Sequence, residues 1–395
     1  MNNMKKTLQY TFTAVVILLY ACRIHGNTFD SSPDRDHLTV LLLQDIAPQV
    51  ISPNLHEFND SLTLLATSIE DTIEIIQDSD QAIDLNAPQE EWKNSMLQWQ
   101  QMELMQIGPV GSYYEVVGGE DRREYIYSWP ITNKCRVDVV TVNREYQTND
   151  FFDTHLVNVI GLDALEHLLF GEMTSSCPEQ VNINEEWEAL SEVTIQQYRM
   201  EYAQRLVAQL QVQTAELIDI WSIEGGNYGL KLLDGSTYRD RKTALNSVFN
   251  ALFYLKRFTL MYKISDPLGF GCCINDYEDC LQSAEHIPSR LSLKAIEHNL
   301  IGFETLFNNG NGYGFDDLFI DLGHSDLQRE IQSRVDKAKG TLAGIDQSLI
   351  QIYQDDPDKV LRIHSEISAI VDLLSSDALT VLSMTELYVD CPGGD

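Results

Sequence analysis

Apolar residues recur along most of this chain at spacings of three and four, the mark of helices with one buried face. After Ser52-Pro53, where Ser suits an N-cap and Pro the first helical position, Phe58, Leu62, Leu65, Ile69, Ile73 and Ile76 form one stripe. A second helix is expected from near Pro88, with Trp92, Met96 and Trp99 on one face, ending at Gly108-Pro109. A third is expected over 154–170, closed by Gly171 in the C′ position. Further helices are expected over 192–223, 243–263, 292–307, 326–353 and 358–387. Only short pieces such as 136–142 read as extended. Long helices joined by loops imply an all-α fold of antiparallel bundles. Two bundles of similar topology are expected, over 37–180 and 187–390, with a boundary in the polar stretch 175–186. The Gly-rich loop NNGNGYGFDD (308–317) interrupts the second. It has neither the Lys-Ser/Thr of a phosphate loop nor a strand before it, so no nucleotide is expected there.

The first 21 residues depart from this pattern. Lys5 and Lys6 precede an apolar run from about Tyr10 to Ala21, too short for a finished transmembrane helix and suited to a signal peptide. Leu19-Tyr20-Ala21-Cys22 resembles a bacterial lipobox, in which cleavage precedes the cysteine and its thiol carries lipid. The expectation is therefore a signal peptide over 1–21, lipidation at Cys22 and a polar tether over 22–36. Arg23, rather than Asp, after that cysteine favours the outer membrane.

With 395 residues and 44% hydrophobic composition, there is ample material for a packed core. Sixty acidic against 27 basic residues give a formal charge of −33. Such a surface repels phosphate backbones, which argues against nucleic-acid binding, and suits cations or basic partners. Apart from Cys22, six cysteines remain: Cys135, Cys177, Cys272, Cys273, Cys280 and Cys391. In an exported protein this even number allows up to three disulfides; a zinc cluster over 272–280 would lack a CxxC pair.

There is no HExxH, GxSxG or Walker A sequence. What draws attention is carboxylates on apolar stripes. One step beyond Trp99 along the second helix lies Glu103. Within GLDALEHLLFG, Asp163 and Glu166 share a face at i, i+3. Buried carboxylates must be paired, protonated or bound to a cation. Either Arg or Lys partners or a cation would satisfy these three.

GLDALEHLLFG resembles the signature of the imelysin-like family, G-x-H-x-x-E. Other landmarks follow in order: APQVISPNLHEF (47–58), WQQMELMQIGP (99–109), Trp129-Pro130, Lys263, Pro267-Leu268-Gly269 and AEHIPSRLSLKAIEHNLIGF (284–303). The resemblance implies two similar helical bundles with a site at their interface. It also implies an envelope location and either peptidase activity or a part in iron uptake. The signature's Gly and Glu are Gly161 and Glu166; Asp163 stands in place of its His. His167 points about 100° away from Glu166 on a helix and does not replace that imidazole automatically.

Two carboxylates without imidazole suit hard cations such as iron, Ca²⁺, Mg²⁺ or Mn²⁺ better than a peptidase's zinc. Candidate metal ligands are Asp163, Glu166 and Glu103, with Glu285 as a further acid from the second half. Ser289, Arg290, His167 and Trp99 are further site candidates; Ser289 or Ser292 could instead serve as an N-cap, and Arg290 as a counter-ion for Glu166 or Glu103 without metal. If the chain were a peptidase, Glu166 would be the catalytic residue. Three readings stand: a lipid-anchored cation-binding accessory that works with metal-uptake partner proteins, a metallopeptidase, or a metal-free interaction module.

Overall fold

The computed structural model describes residues 34–386 except 80, 272 and 274–276. The expected signal peptide, the Cys22 lipidation site, Cys272 and Cys391 lie outside the described residues. The fold is all-α, and no strand occurs among the described residues.

The stripe that begins at Phe58 belongs to a longer rod than the sequence suggested. Helix α1 (Arg35–Asp45) passes through a π-helical segment (Ile46–Ile51) directly into α2 (Ser52–Gln77). Ser52 therefore makes no side-chain cap, because the residue before it is already helical. All six stripe residues of α2 are buried. At about 1.5–3 kcal/mol for each large side chain, this face does most to hold α2 in place. Helix α3 (Asn86–Met102) buries Trp92, Met96 and Trp99 against it.

The segment 136–142, expected to be extended, is instead part of α4 (Lys134–Asn143). Its β-branched residues suggested a strand. Asn133 accepts from the Arg136 N–H as an N-cap, and Val137 and Val140 bury one helical face. The signature segment forms α5 (Gly161–Phe170), shorter than expected because 151–160 is broken into short turns. Gly171 is extended at φ −66° and is not a left-handed cap.

The long α6 (Glu192–Trp221) lies beyond the expected boundary yet packs on α2, α4 and α5. It thus belongs spatially to the first lobe. The second lobe is built from a π-helical segment (Leu255–Ser265), α7 (Ser292–Phe307), α8 (Ser325–Leu342) and α9 (Pro357–Leu373). The stretch expected as one helix over 326–353 breaks at Gly344 (φ 74°) and resumes at Leu349. Both lobes lie within a single compact unit that begins at Asp36, and α7 packs directly on α3 where they meet. Disulfides join Cys135 to Cys177 and Cys273 to Cys280. Among the described residues no helix is long and apolar enough to cross a membrane.

Candidate functional site

The seam between the lobes collects polar groups from both. From the first come Gln100 on α3, Glu103 at its C-terminus, Arg123, Tyr127, and Asp163 and Glu166 on α5. From the second come Lys263, on the π-helical segment, and the loop Glu285–Ser289 leading into α7. Gly161 sets the angle at which α5 enters. It has φ +86°, and a Cβ there would stand 2.7 Å from the Ile126 carbonyl oxygen.

Glu103 is fully buried. Its Oε1 accepts from Arg123 Nη2 at 2.8 Å and its Oε2 from Lys263 Nζ at 2.8 Å. Burial opposes its ionisation, but Lys263 and Arg123 outweigh burial and lower its pKa to about 2. Lys263 also donates to Gln100 Oε1 and lies 3.1 Å from Glu285 Oε1. Glu285 accepts from the Tyr127 hydroxyl at 2.6 Å and from Gln100 Nε2 at 3.2 Å. His286 Nε2 is 3.7 Å from Glu285, and its Nδ1 is 3.0 Å from Glu166 Oε2. The ring of His286 is stacked on Tyr127 and edge-on to Trp92. Burial lowers the His286 pKa, yet Glu166 and Glu285 prevail and raise it above the usual value. Glu166 accepts from Ser289 Oγ at 2.6 Å; burial raises its pKa, but His286 and Ser289 bring it below the usual carboxylate value.

With His286 protonated, Glu103, Glu285 and Glu166 face Arg123, Lys263 and His286, and Arg123 also pairs with Glu124 at 2.9 Å. Asp163 stands apart. It accepts from the hydroxyls of Ser128, at 2.7 Å, and Thr132, and the backbone N–H groups of Ser128 and of Asp163 itself also favour its charged form. Among the described residues no cation is paired with it. Burial pushes its pKa up to about 6 against the effect of those hydroxyls. Asp163, Glu166, His167, His286, Thr132 and Trp129 line one cavity of about 260 Å³.

The sequence-derived candidates therefore separate. Asp163 and Glu166 share the cavity, and Ser289 binds Glu166. Glu103 is not a free ligand, because both its oxygens are taken by cations. Arg290 is exposed and is not the counter-ion; Arg123 and Lys263 fill that role for Glu103, and His286 for Glu166. His167 turns its Nε2 to the buried Asp138 at 2.8 Å. Trp99 is a core residue packed on Phe58. Glu285 belongs to the charge network. His286, Lys263, Arg123, Tyr127 and Gln100 were not anticipated in the site. A single Lys within the apolar run FTLMYKIS and an imidazole just before the α7 start were the available signals. Among the described residues no group of three or more His, Cys, Asp or Glu is placed to hold a metal ion.

Two helical lobes thus meet at a buried acid–base network, with a cavity lined by Asp163, Glu166, His167 and His286 at its edge. The family model described as Peptidase_M75: Imelysin matches residues 54–376, and the chain belongs to the imelysin family. Among solved structures, an imelysin-like protein from Psychrobacter arcticum 273-4 is similar at 15% identity. The TM-score is 0.66, over 90% of this chain and 98% of that one. A chain from Parabacteroides distasonis ATCC 8503, named as an iron-regulated protein A precursor, is similar at 14% identity. Its TM-score is 0.61, over 88% of this chain and 95% of that one. No curated protein is significantly similar in sequence.

Proposed function

We propose that this imelysin-family chain is a cation-binding accessory protein of the cell envelope, with its site in the cavity shared by Asp163 and Glu166. The observation that carries this reading is the buried Asp163 carboxylate, with which no cation is paired among the described residues while the neighbouring acids are neutralised. An uncompensated buried carboxylate is costly, and a cation relieves that cost. Oxygen donors from Asp163 and the Thr132 hydroxyl, with Glu166 on the same cavity already engaged by His286 and Ser289, suit a hard ion that keeps much of its water. The ion is cargo in this reading. The similarity to a chain named as iron-regulated supports iron as that cargo. The donors do not form the three-ligand set of a zinc peptidase, so no peptidase step is drawn through them. Lipid attachment at Cys22 would hold the protein at the outer membrane beside metal-uptake partners. Loss of labelled-palmitate incorporation in Cys22→Ser checks this attachment.

Calorimetric titration of the mature protein with ferric citrate and with Mn²⁺ tests the site. The expected result is one ion bound per chain by the wild type and none by Asp163→Asn/Glu166→Gln. Undiminished heat in the double variant removes the site; no heat with the wild type removes the function. A second reading, a metal-free interaction module, is favoured by the self-neutralised Glu103–Lys263–Glu285–His286–Glu166 chain. A wild type that binds no ion, and is destabilised by several kcal/mol in Lys263→Met, would support it.

A further inference from the structure

His167 is a buried imidazole that the charge network of the seam leaves out. It is only 4% exposed, and it lines the same cavity as Asp163 and Glu166. On α5 it follows Asp163 by four residues, which places the two about 40° apart around the helix axis. Measured from Asp163 rather than from Glu166, His167 is a neighbour on the same face.

The ring is held from behind. Its Nε2 lies 2.8 Å from Oδ1 of Asp138, a fully buried residue of α4 whose Oδ2 accepts from the Ser176 N–H at 2.7 Å. Arg199 Nη2 stands 3.9 Å from the same Oδ1. The Cys135–Cys177 disulfide pins this contact, because Cys135 is one turn before Asp138 and Cys177 follows Ser176. A carboxylate oxygen facing the ring accepts, so Nε2 carries the proton and Nδ1 of the neutral ring is a bare lone pair. Among the described residues Nδ1 makes no hydrogen bond. One nitrogen donating to a buried carboxylate, with the other unengaged beside a cavity, is how an imidazole is oriented toward a metal ion.

We infer that His167 supplies a nitrogen ligand to the cation of this cavity, beside Asp163, with Asp138 as its positioning residue. The inference rests on the cation-binding reading and names the class of ion: a divalent first-row transition ion of the ferrous type. Asp163 and His167 form a pair rather than a triad, so water completes the shell. Carboxylate and water alone serve Ca²⁺ and Mg²⁺ well; an added imidazole favours ions such as iron, nickel and zinc. Iron accepts both kinds of donor, which agrees with iron as cargo.

Cu²⁺ is the first probe, because pulsed electron paramagnetic resonance detects the remote nitrogen of a coordinated imidazole. In the mature protein the expected result is an imidazole signal that is absent from Asp163→Asn/Glu166→Gln and lost in His167→Gln. The Gln amide reaches the place of Nε2 and can still donate to Asp138, while nothing replaces Nδ1. Asp138→Asn is the second variant. Its single oxygen serves one of the two donors, so the Nε2 proton loses its acceptor, and Mn²⁺ affinity measured by calorimetry should fall about tenfold or more. Far-UV circular dichroism establishes that each variant is folded. Ca²⁺ should bind the wild type at least about tenfold more weakly than Mn²⁺, and that preference should shrink in His167→Gln. A wild type that binds no ion overturns the cation-binding reading and this inference with it. Ion binding without an imidazole signal, or with one that survives in His167→Gln and disappears in His286→Gln, overturns the assignment of His167 alone.

Discussion

Glu103 occupies a position where removing one partner costs more than the pair contributes. Glu103→Gln leaves Lys263 and Arg123 buried without their shared counter-ion, which is expected to destabilise the fold by about 3–5 kcal/mol. Urea unfolding at neutral pH measures this. The same residue gives a pH dependence with a definite sign. Its folded pKa of about 2 lies below the ordinary 4.5, so its contribution is present above pH 4.5 and is lost as pH falls toward 2. The stability gap between wild type and Glu103→Gln should therefore close over that window. A gap that stays constant from pH 5 to pH 2 would contradict the assignment. Arg290→Ala, by contrast, alters an exposed side chain and should stay within about 0.5 kcal/mol of wild type in the same assay. The carboxylates of this site were legible in the sequence because an acid on an apolar stripe is locally anomalous. Their partners were not: Lys263 lies 160 residues from Glu103, and His286 lies 120 from Glu166. Periodicity describes one helix at a time and carries no information about which face meets which. Arg290 is no nearer in sequence to Glu166 or Glu103 than Lys263 is, so spacing gave no ground for the choice of Arg290 as counter-ion.

Among the elements, helices with long, strongly apolar stripes were readable, and errors fell where tertiary contacts override local preference. The valines of 136–142 favour a strand in isolation; the Asn133 cap and the packing of α4 on α6 make them helical. The stripe over 326–353 continues in burial through Ile345, Leu349 and Ile352, yet the backbone breaks at Gly344, so apolar spacing alone concealed the turn. The crossing of α3 and α7 depends on another glycine. A Cβ at Gly302 would overlap the Gln101 carbonyl oxygen, so the two helices touch backbone to backbone. Gly302→Ala should cost about 1–3 kcal/mol by forcing them apart. If the seam cavity holds a cation as proposed, the same change should weaken that binding, because His286 and Ser289 reach Glu166 from the loop leading into α7. A variant that melts like wild type would show that the crossing tolerates the methyl group.

For the molecule as a whole, the buried acids and bases of the seam are fully paired only when both lobes are present. The first contributes Glu103, Glu166 and Arg123; the second contributes Lys263, Glu285 and His286. A polypeptide cut in the Gly225-Gly226 turn should yield fragments that stay unfolded or aggregate alone and regain helical circular dichroism when mixed. Independent folding of either fragment would count against the network as the reason the lobes cohere. This interdependence also restricts how the gene can change. A chimera that grafts a relative's C-terminal portion onto this N-terminal one must import an amine and an imidazole at two matching places. Lacking either, the graft would strand acids that its host cannot serve.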